Sequence, residues 1–547
     1  MTDGTAPAIA PDAAMATAIS DDDGATNLSR VSGAPFARSQ YNRSVFSALL
    51  KARAKVGGSK VCIIDADGRE LTYDQLVQGA FALGNALKTG TKKGEKVAIL
   101  LPTGAGAAIA FFALQAYGRI PAMLNFTAGP RALKAACRAA QATTVITARK
   151  FIELGNLEPL AASLGEDLKL VYLEDVRDGL GWQDKAMALA GTVAPMIVAA
   201  RPDPDDTAVV LFTSGTEGDP KGVALSHINL VSNVEQAAAH VDIFETDICF
   251  NPLPTFHCFG LTGGLLLPLI VGIPAVLHPT PLQAKTIAKR VGETRSTVLF
   301  ATDTFLNQYA RNADKDDLKS LRFAVCGAER VKDETRALVR KMFALDILEG
   351  YGATEASPVI AVNQPGRNRS GTVGTLLPGM EAKLEPVEGI ENAGRMWVRG
   401  PNVMQGYIYT SEPGVIVKPD EGWHDTGDVC SIDEDGFIAI RGRMKRFAKI
   451  GGEMVSLAVV ENCATSIWPD DLHAAVTLPD PRKGEQIILL TANASADRSE
   501  FVAFTRNHGV AELSIPKKIV AVDEIPVLGT GKIDYVAVEK MAKAAIS

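Results

Sequence analysis

A chain of 547 residues is too long for one compact core, and the usual domain size predicts roughly two to four units. With 47% hydrophobic and 22% charged residues the composition is that of an ordinary soluble globular protein, and a net charge of −7 argues against a general nucleic-acid binder. The seven cysteines are dispersed, with no C-x-x-C pair, which predicts a reducing cytoplasm and no zinc site.

Residues 1–40, rich in Ala, Asp, Gly and Ser, lack the basic and apolar regions of a signal peptide and read as a disordered leader. The run Lys-Val-Ala-Ile-Leu-Leu at 96–101 reads as a strand and 107–117 as a buried helix. Gly104-Ala105-Gly106 between them invites a dinucleotide-binding reading. That reading fails, because Ile109 stands at the third glycine position and no acidic residue follows about 20 positions on; helix packing is the expected reason for these glycines.

An apolar run at 208–212 then leads into Leu211-Phe-Thr213-Ser214-Gly215-Thr216-Glu217-Gly218-Asp-Pro220-Lys221-Gly222. Three glycines let backbone N–H groups turn toward an anion, the hydroxyls of Thr213, Ser214 and Thr216 add donors, and Lys221 adds a point charge. A turn of this composition is by default a surface loop. It is not a Walker A loop either, since Pro220 precedes Lys221 and Gly222 follows it.

Further along, the apolar run 261–277 is broken by glycines and prolines and is shorter than the roughly 20 residues of a spanning helix, so it reads as buried core. Strands are predicted at 297–300 and 323–326 and a helix at 333–343. From 371 onward short alternating runs, among them 395–399 and 437–441, predict a strand-rich subdomain. The last hundred residues, after the basic run 441–446, mix short strands with helices and predict a small C-terminal domain. The fold class is therefore α/β: a large domain of parallel sheets covered by helices, the strand-rich subdomain, and a small mobile α+β C-terminal domain.

Several blocks give this pattern a family resemblance covering the chain from about residue 45 to its end. The loop at 211–227 resembles the signature loop of the adenylate-forming superfamily, the AMP-dependent acyl synthetases and ligases. Gly350-Tyr351-Gly352-Ala353-Thr354-Glu355 resembles the block whose aromatic ring stacks on adenine, with Thr354 at the α-phosphate and Glu355 holding Mg²⁺. The resemblance also implies that Gly327, Ala328 and Glu329 belong to the nucleotide site. Asp428, ending Trp423-His-Asp-Thr426-Gly427-Asp428, is similar to the carboxylate that takes both ribose hydroxyls, and Arg443 to the arginine that reaches the same ribose. Lys445 falls at the family's interdomain hinge. Lys532, in Gly531-Lys532-Ile-Asp534, falls at the catalytic lysine. The implied division is a leader at 1–40, an ATP- and acyl-binding domain at 41–442, and a C-terminal lid at 443–547.

The chemistry implied is two-step. A carboxylate displaces pyrophosphate from ATP, and a thiol then attacks the acyl-adenylate after the small domain has turned about its hinge. Pro252-Leu-Pro-Thr-Phe256-His257 resembles the acyl-pocket block of fatty-acid ligases, where the histidine lies beside the carboxylate, and 298–305 is expected to line a chain tunnel. Standing alone, His257 between Phe256 and Cys258 would be a satisfied core residue.

Glu217, the hinge stretch 442–456, Phe256-His257 and 297–311 look most like the acyl-carrier-protein synthetase half of the bifunctional 2-acylglycerophosphoethanolamine acyltransferase/synthetase. That relative's acyltransferase motif, His-x-x-x-x-Asp, fits none of the seven histidines, so activated acyl groups are expected without transfer to lipid. The resemblance thus implies ATP and Mg²⁺ as cofactors, a medium- or long-chain fatty acid as substrate, and acyl carrier protein as acceptor, with coenzyme A as the alternative. An adenylate-binding sensor without catalysis is the alternative from another class. Arg441, Arg443, Lys445, Arg446 and Lys449 are read either as steering an acidic carrier or as nucleotide, hinge and solvated positions. A fatty acid favours peripheral membrane contact, but no basic amphipathic helix is apparent in the sequence.

Overall fold

The computed structural model describes residues 30, 35–213, 219–450, 453–480, 484–508, 510–527 and 533–546. The chain falls into two compact units: Met1–Glu381 with Val398–His424, and Ala382–Trp397 with Asp425–Ser547.

In the first unit, apolar runs separated by helices build two sheets. The seven-stranded sheet runs in the order Gly406–Ile408, Lys221–Ser226, Thr207–Thr213, Ile120–Met123, Lys96–Ile99, Thr144–Thr147, Lys169–Tyr172. Its last five strands pair in parallel, and the first two join antiparallel at the edge. Parallel strands need helical crossovers and so lie between helices. Helix Ala105–Ala116 accordingly has almost every residue buried.

The nine-stranded sheet contains Asp346–Gly352, Phe323–Cys326, Val298–Ala301, Cys249–Asn251, Ala275–Leu277 and Val61–Ile64 as parallel neighbours in that order, with antiparallel strands at both edges. The predicted strands at 208–212, 297–300 and 323–326 and helix at 333–343 are found within a residue of their expected ends.

Helix His227–His240 starts where the sequence sets a capping box. Ser226 Oγ accepts from Asn229 N at 3.1 Å, and Asn229 Oδ1 accepts from Ser226 N at 2.8 Å. Its buried amides sit one stripe apart. Asn229 donates to Pro401 O and Val403 O, Asn233 to Val359 O and Gln236 to Pro378 O, each at 2.8 Å, which satisfies polar groups that burial would otherwise penalise. Val234, Ala237 and the following Val241 form a second stripe, which faces a cavity.

Gly104 corrects the packing expectation. Gly104 precedes helix Ala105–Ala116, and a Cβ there would lie 3.1 Å from Asp65 Oδ1, the atom that accepts from Ala105 N at 3.3 Å. The close neighbour of Gly104 is an acidic side chain, not another helix, whereas Gly106 makes an ordinary contact with Leu173 of helix Leu173–Asp178. The end of the leader also moves: helix Arg38–Tyr41 begins inside the segment read as disordered, and Phe36 within it stacks on Tyr41 just beyond it, ring centres 5.0 Å apart.

The second unit holds most of a four-stranded sheet, Glu381–Pro386, Gly394–Arg399, His424–Ile432 and Ile438–Arg443, and a five-stranded sheet flanked by helices Leu457–Ile467, Arg498–Asn507 and Tyr535–Ile546. The strand-rich segment from 425 thus clusters with the C-terminal residues, upstream of the 442/443 boundary read from the sequence. Among the described residues no helix is long and apolar enough to cross a membrane.

Candidate active site

The phosphate-type loop joins two paired strands. Thr207–Thr213 and Lys221–Ser226 run antiparallel, with Thr213 opposite Lys221. Ser214, Gly215, Thr216, Glu217 and Gly218 lie outside the described residues. At the end of strand Thr207–Thr213, Thr213 Oγ1 is buried and has no hydrogen-bond partner among the described residues. A buried hydroxyl left without a partner is costly, so a ligand that supplies one would stabilise the site.

Lys221 Nζ lies 3.9 Å from Glu355 Oε1 and 3.5 Å from the ring centre of Tyr407. Tyr407 Oη in turn donates to Glu355 Oε1 at 2.7 Å. Lysine, carboxylate and phenol therefore form one polar cluster in which every member is largely buried or half-buried. Tyr407 was not singled out by the sequence. It arrives because strand Gly406–Ile408 pairs with the loop's second strand, placing Tyr407 opposite Val223.

Glu355 and Thr354 sit on the turn Thr354–Ala356 that ends strand Asp346–Gly352. Met404 N donates to Glu355 O at 2.8 Å, which ties that turn to the Tyr407 strand. Gly352 is needed there: a Cβ would lie 2.4 Å from Pro358 O. Tyr351, Gly327 and Ala328 meet in the wall of a cavity of about 120 Å³. Ala328 carries a left-handed φ of +68°, strain of roughly 1 kcal/mol that a non-glycine residue bears mostly where function demands it. Glu329 instead caps a helix, its Oε2 accepting from Thr304 N at 3.0 Å and from Thr304 Oγ1 at 2.8 Å.

The cavity extends from those residues between helix His227–His240 and the nine-stranded sheet. Val234, Ala237, Phe259, Gly263, Phe300 and Phe323 line it, and among the described residues no charged side chain does. Its floor is the π-helix Phe259–Leu266, a wide-turn geometry often found at functional sites. Asn251 fixes its start, accepting from Leu253 N at 3.0 Å and donating to Gly260 O at 3.1 Å, while Thr103 Oγ1 donates to Leu253 O and accepts from Thr255 N, both at 3.0 Å. His257 is half-buried against Phe256, ring centres 4.6 Å apart, and does not line the cavity although Phe259 and Thr262 do. Burial pushes the Cys258 thiol up to about 12, which keeps it protonated and unreactive.

Within the second unit, strands His424–Ile432 and Ile438–Arg443 pair Asp428 with Arg443. Arg443 Nε meets Asp428 Oδ1 at 3.0 Å, with the carboxylate buried and the guanidinium exposed. The positive φ of Gly427, +69°, and a bond from Asp428 N to Thr426 Oγ1 at 3.1 Å shape that turn. Lys445 is exposed on the turn Met444–Arg446.

The basic run is not one free patch. Arg446 Nη2 pairs with Glu461 Oε1 at 2.6 Å and its guanidinium stacks 3.7 Å from the Tyr535 ring, while Lys449 Nζ meets Glu388 Oε2 at 3.3 Å. Lys532 lies outside the described residues; Val527 and Ile533, on either side of it, form a bridge.

Comparison with known proteins identifies the family and the fold. The family model described as AMP-binding enzyme matches residues 50–408. The medium-chain fatty-acid–CoA ligase of Escherichia coli (strain K12) is 28% identical over 512 residues, 89% of this chain and 88% of that one. The long-chain-fatty-acid–CoA ligase of Bacillus subtilis (strain 168) is 28% identical over 501 residues, 85% of this chain and 89% of that one. Among solved structures, the anthranilate CoA ligase AuaEII in complex with anthranoyl-AMP shares the fold at a TM-score of 0.76 and 24% identity, covering 92% of this chain and 98% of that one.

Proposed function

Since this chain belongs to the AMP-binding enzyme family, we propose that it is an AMP-forming acid–thiol ligase that activates a medium- or long-chain fatty acid and passes it to the thiol of a pantetheine arm, that of coenzyme A. The observation that carries the fatty-acid reading is the uncharged, apolar lining of the cavity behind Tyr351 and Gly327. A lining of that kind suits an alkyl tail and offers no counter-charge to an amino acid's ammonium group.

In this reading the carboxylate oxygen bonds to the α-phosphorus of ATP while the bond to the β-phosphate oxygen breaks and pyrophosphate leaves. Two anions must approach each other, so the residues act by positioning and charge neutralisation. Lys221, held between the Tyr407 ring and Glu355, would meet the phosphates, and the unpartnered Thr213 hydroxyl would donate to them. Mg²⁺, which the largely buried Glu355 carboxylate fits, supplies further neutralisation of phosphate charge. Asp428 and Arg443 would take the ribose, and Lys532 would act in the first step alone. The C-terminal lid would then turn about Lys445, and thiolate attack on the acyl carbon would release AMP.

A carrier-protein acceptor is the second reading, favoured by Glu217 and the hinge wording at 442–456. Against it stands the use of Arg443, Arg446 and Lys449 in pairs within their own unit. The test is pyrophosphate release from ATP, Mg²⁺ and a panel of fatty acids, with coenzyme A and holo-carrier protein offered separately. We expect fatty-acid-dependent release and thioester on coenzyme A. Thioester on carrier protein alone establishes the second reading, and no release with any fatty acid refutes both. Lys532→Ala should abolish adenylation while ATP binding persists; an output indifferent to it would mark a sensor.

A further inference from the structure

The segment from Trp182 to Arg201 has no part in the chemistry above. Helix Trp182–Val193 and the short helix Pro195–Val198 carry large apolar side chains that point to water: Trp182 is 77% exposed, Leu189 61%, Val193 77%, Met196 52% and Ile197 80%. Positions 182, 186, 189 and 193 are spaced four, three and four apart and share one helix face.

The opposite face is anchored, so the outward one is set by packing. Ala188 and Gly191 are buried, and a Cβ on Gly191 would lie 2.2 Å from the Phe81 ring. The helix's one acid, Asp184, is turned to polar partners, accepting from Asn85 Nδ2 at 2.8 Å and from Gly181 N at 2.9 Å. Between the apolar residues the exposed positions are Gln183, Lys185, Ala186 and Ala190. Arg201 closes the segment, its Nη2 donating to Met196 O at 2.8 Å.

The exposed residues of 182–201 thus combine a tryptophan, four aliphatic or thioether side chains and two cations, with no exposed acid within that stretch, on a chain whose net charge is −7. We propose that this face docks on an anionic lipid surface, with the helix lying in the interfacial plane. Tryptophan and aliphatic residues flanked by cations match the boundary between acyl chains and anionic headgroups. A second copy of the chain fits less well, because a two-fold contact on this stripe would bury Lys185 and Arg201 of both copies with no carboxylate of the stripe to pair with them. The proposal deepens the fatty-acid reading, on which it rests for its purpose: an acid dissolved in a bilayer would be collected at the surface where the enzyme sits. The structural basis, the stripe itself, is independent of that reading.

Flotation of the full chain with vesicles tests it, using phosphatidylcholine alone and a phosphatidylcholine–phosphatidylglycerol mixture. The chain should float with the mixed vesicles. Leu189→Ser, Val193→Ser and Ile197→Ser together should cut partitioning by about tenfold or more, and Lys185→Glu by about tenfold at low salt. Circular dichroism and turnover of a short, water-soluble acid should stay at the level of the unmodified chain, which separates loss of docking from loss of folding. No flotation with mixed vesicles, or equal flotation of the triple variant, overturns the proposal. So does a chain that is dimeric in sedimentation, becomes monomeric in the triple variant and never floats. If flotation holds but no fatty acid is activated, the docking surface stands and the fatty-acid reading falls.

Discussion

Gly263→Leu tests the acyl pocket most sharply. Gly263 lies in the π-helix wall of the cavity, where a Cβ would meet Phe259 at 3.3 Å and Phe300 at 3.5 Å. Those two rings pack edge to face with centres 5.6 Å apart, so a methyl fits with a small shift while the remaining carbons of a leucine must enter the cavity. Leucine would displace about three methylenes of a long acyl chain. At ~0.8 kcal/mol for each methylene this costs about 2.4 kcal/mol, or about 60-fold in kcat/KM for acids long enough to reach the site. Acids too short to reach it should change by less than about twofold, and Gly263→Ala should shift the profile by about one methylene. The assay is pyrophosphate release against chain length. A uniform loss at every length, the shortest included, would refute the assignment of this cavity to the acyl tail.

Tyr407→Phe keeps the ring against Lys221 but removes the bond to Glu355; the Mg²⁺ and ATP requirement should rise by about tenfold, and an unchanged Mg²⁺ titration would remove Tyr407 from the site. Glu461→Gln leaves Arg446 without its carboxylate in the second unit, a change expected to destabilise that unit by about 3 kcal/mol and read as a lower unfolding temperature of its transition. Burial holds His227 down to about 4, and its Nδ1 accepts from Val45 N at 3.2 Å, so the folded chain keeps it neutral. Its folded value lies below the unfolded one. The unfolded state therefore binds the extra proton between about pH 6.5 and pH 4, and stability from this residue, complete above 6.5, should fall by about 3 kcal/mol as pH drops through that window. His227→Asn, which retains an acceptor but does not titrate, should flatten the pH slope of thermal unfolding; an unaltered slope would mean that other groups set it.

Much of the site was legible because its signals are local. The strand leading into the loop and the helix at 333–343 depend on residues within a few positions of one another, and both were found where expected. Asp428 and Arg443 were singled out in separate motifs, yet only the antiparallel register sets them 3.0 Å apart. Tyr407 was missed because it reaches Lys221 through strand pairing across about 180 residues of sequence, and no short pattern encodes such a pairing. Gly104 was assigned to helix packing for the same reason: its neighbour, Asp65, lies in a loop some 40 residues earlier. The apolar residues of 182–197 show the limit most plainly. Periodicity in the sequence tells that a helix has two faces, but which face is covered depends on where Phe81 and Asn85 of another helix come to lie, and that is decided by tertiary packing alone.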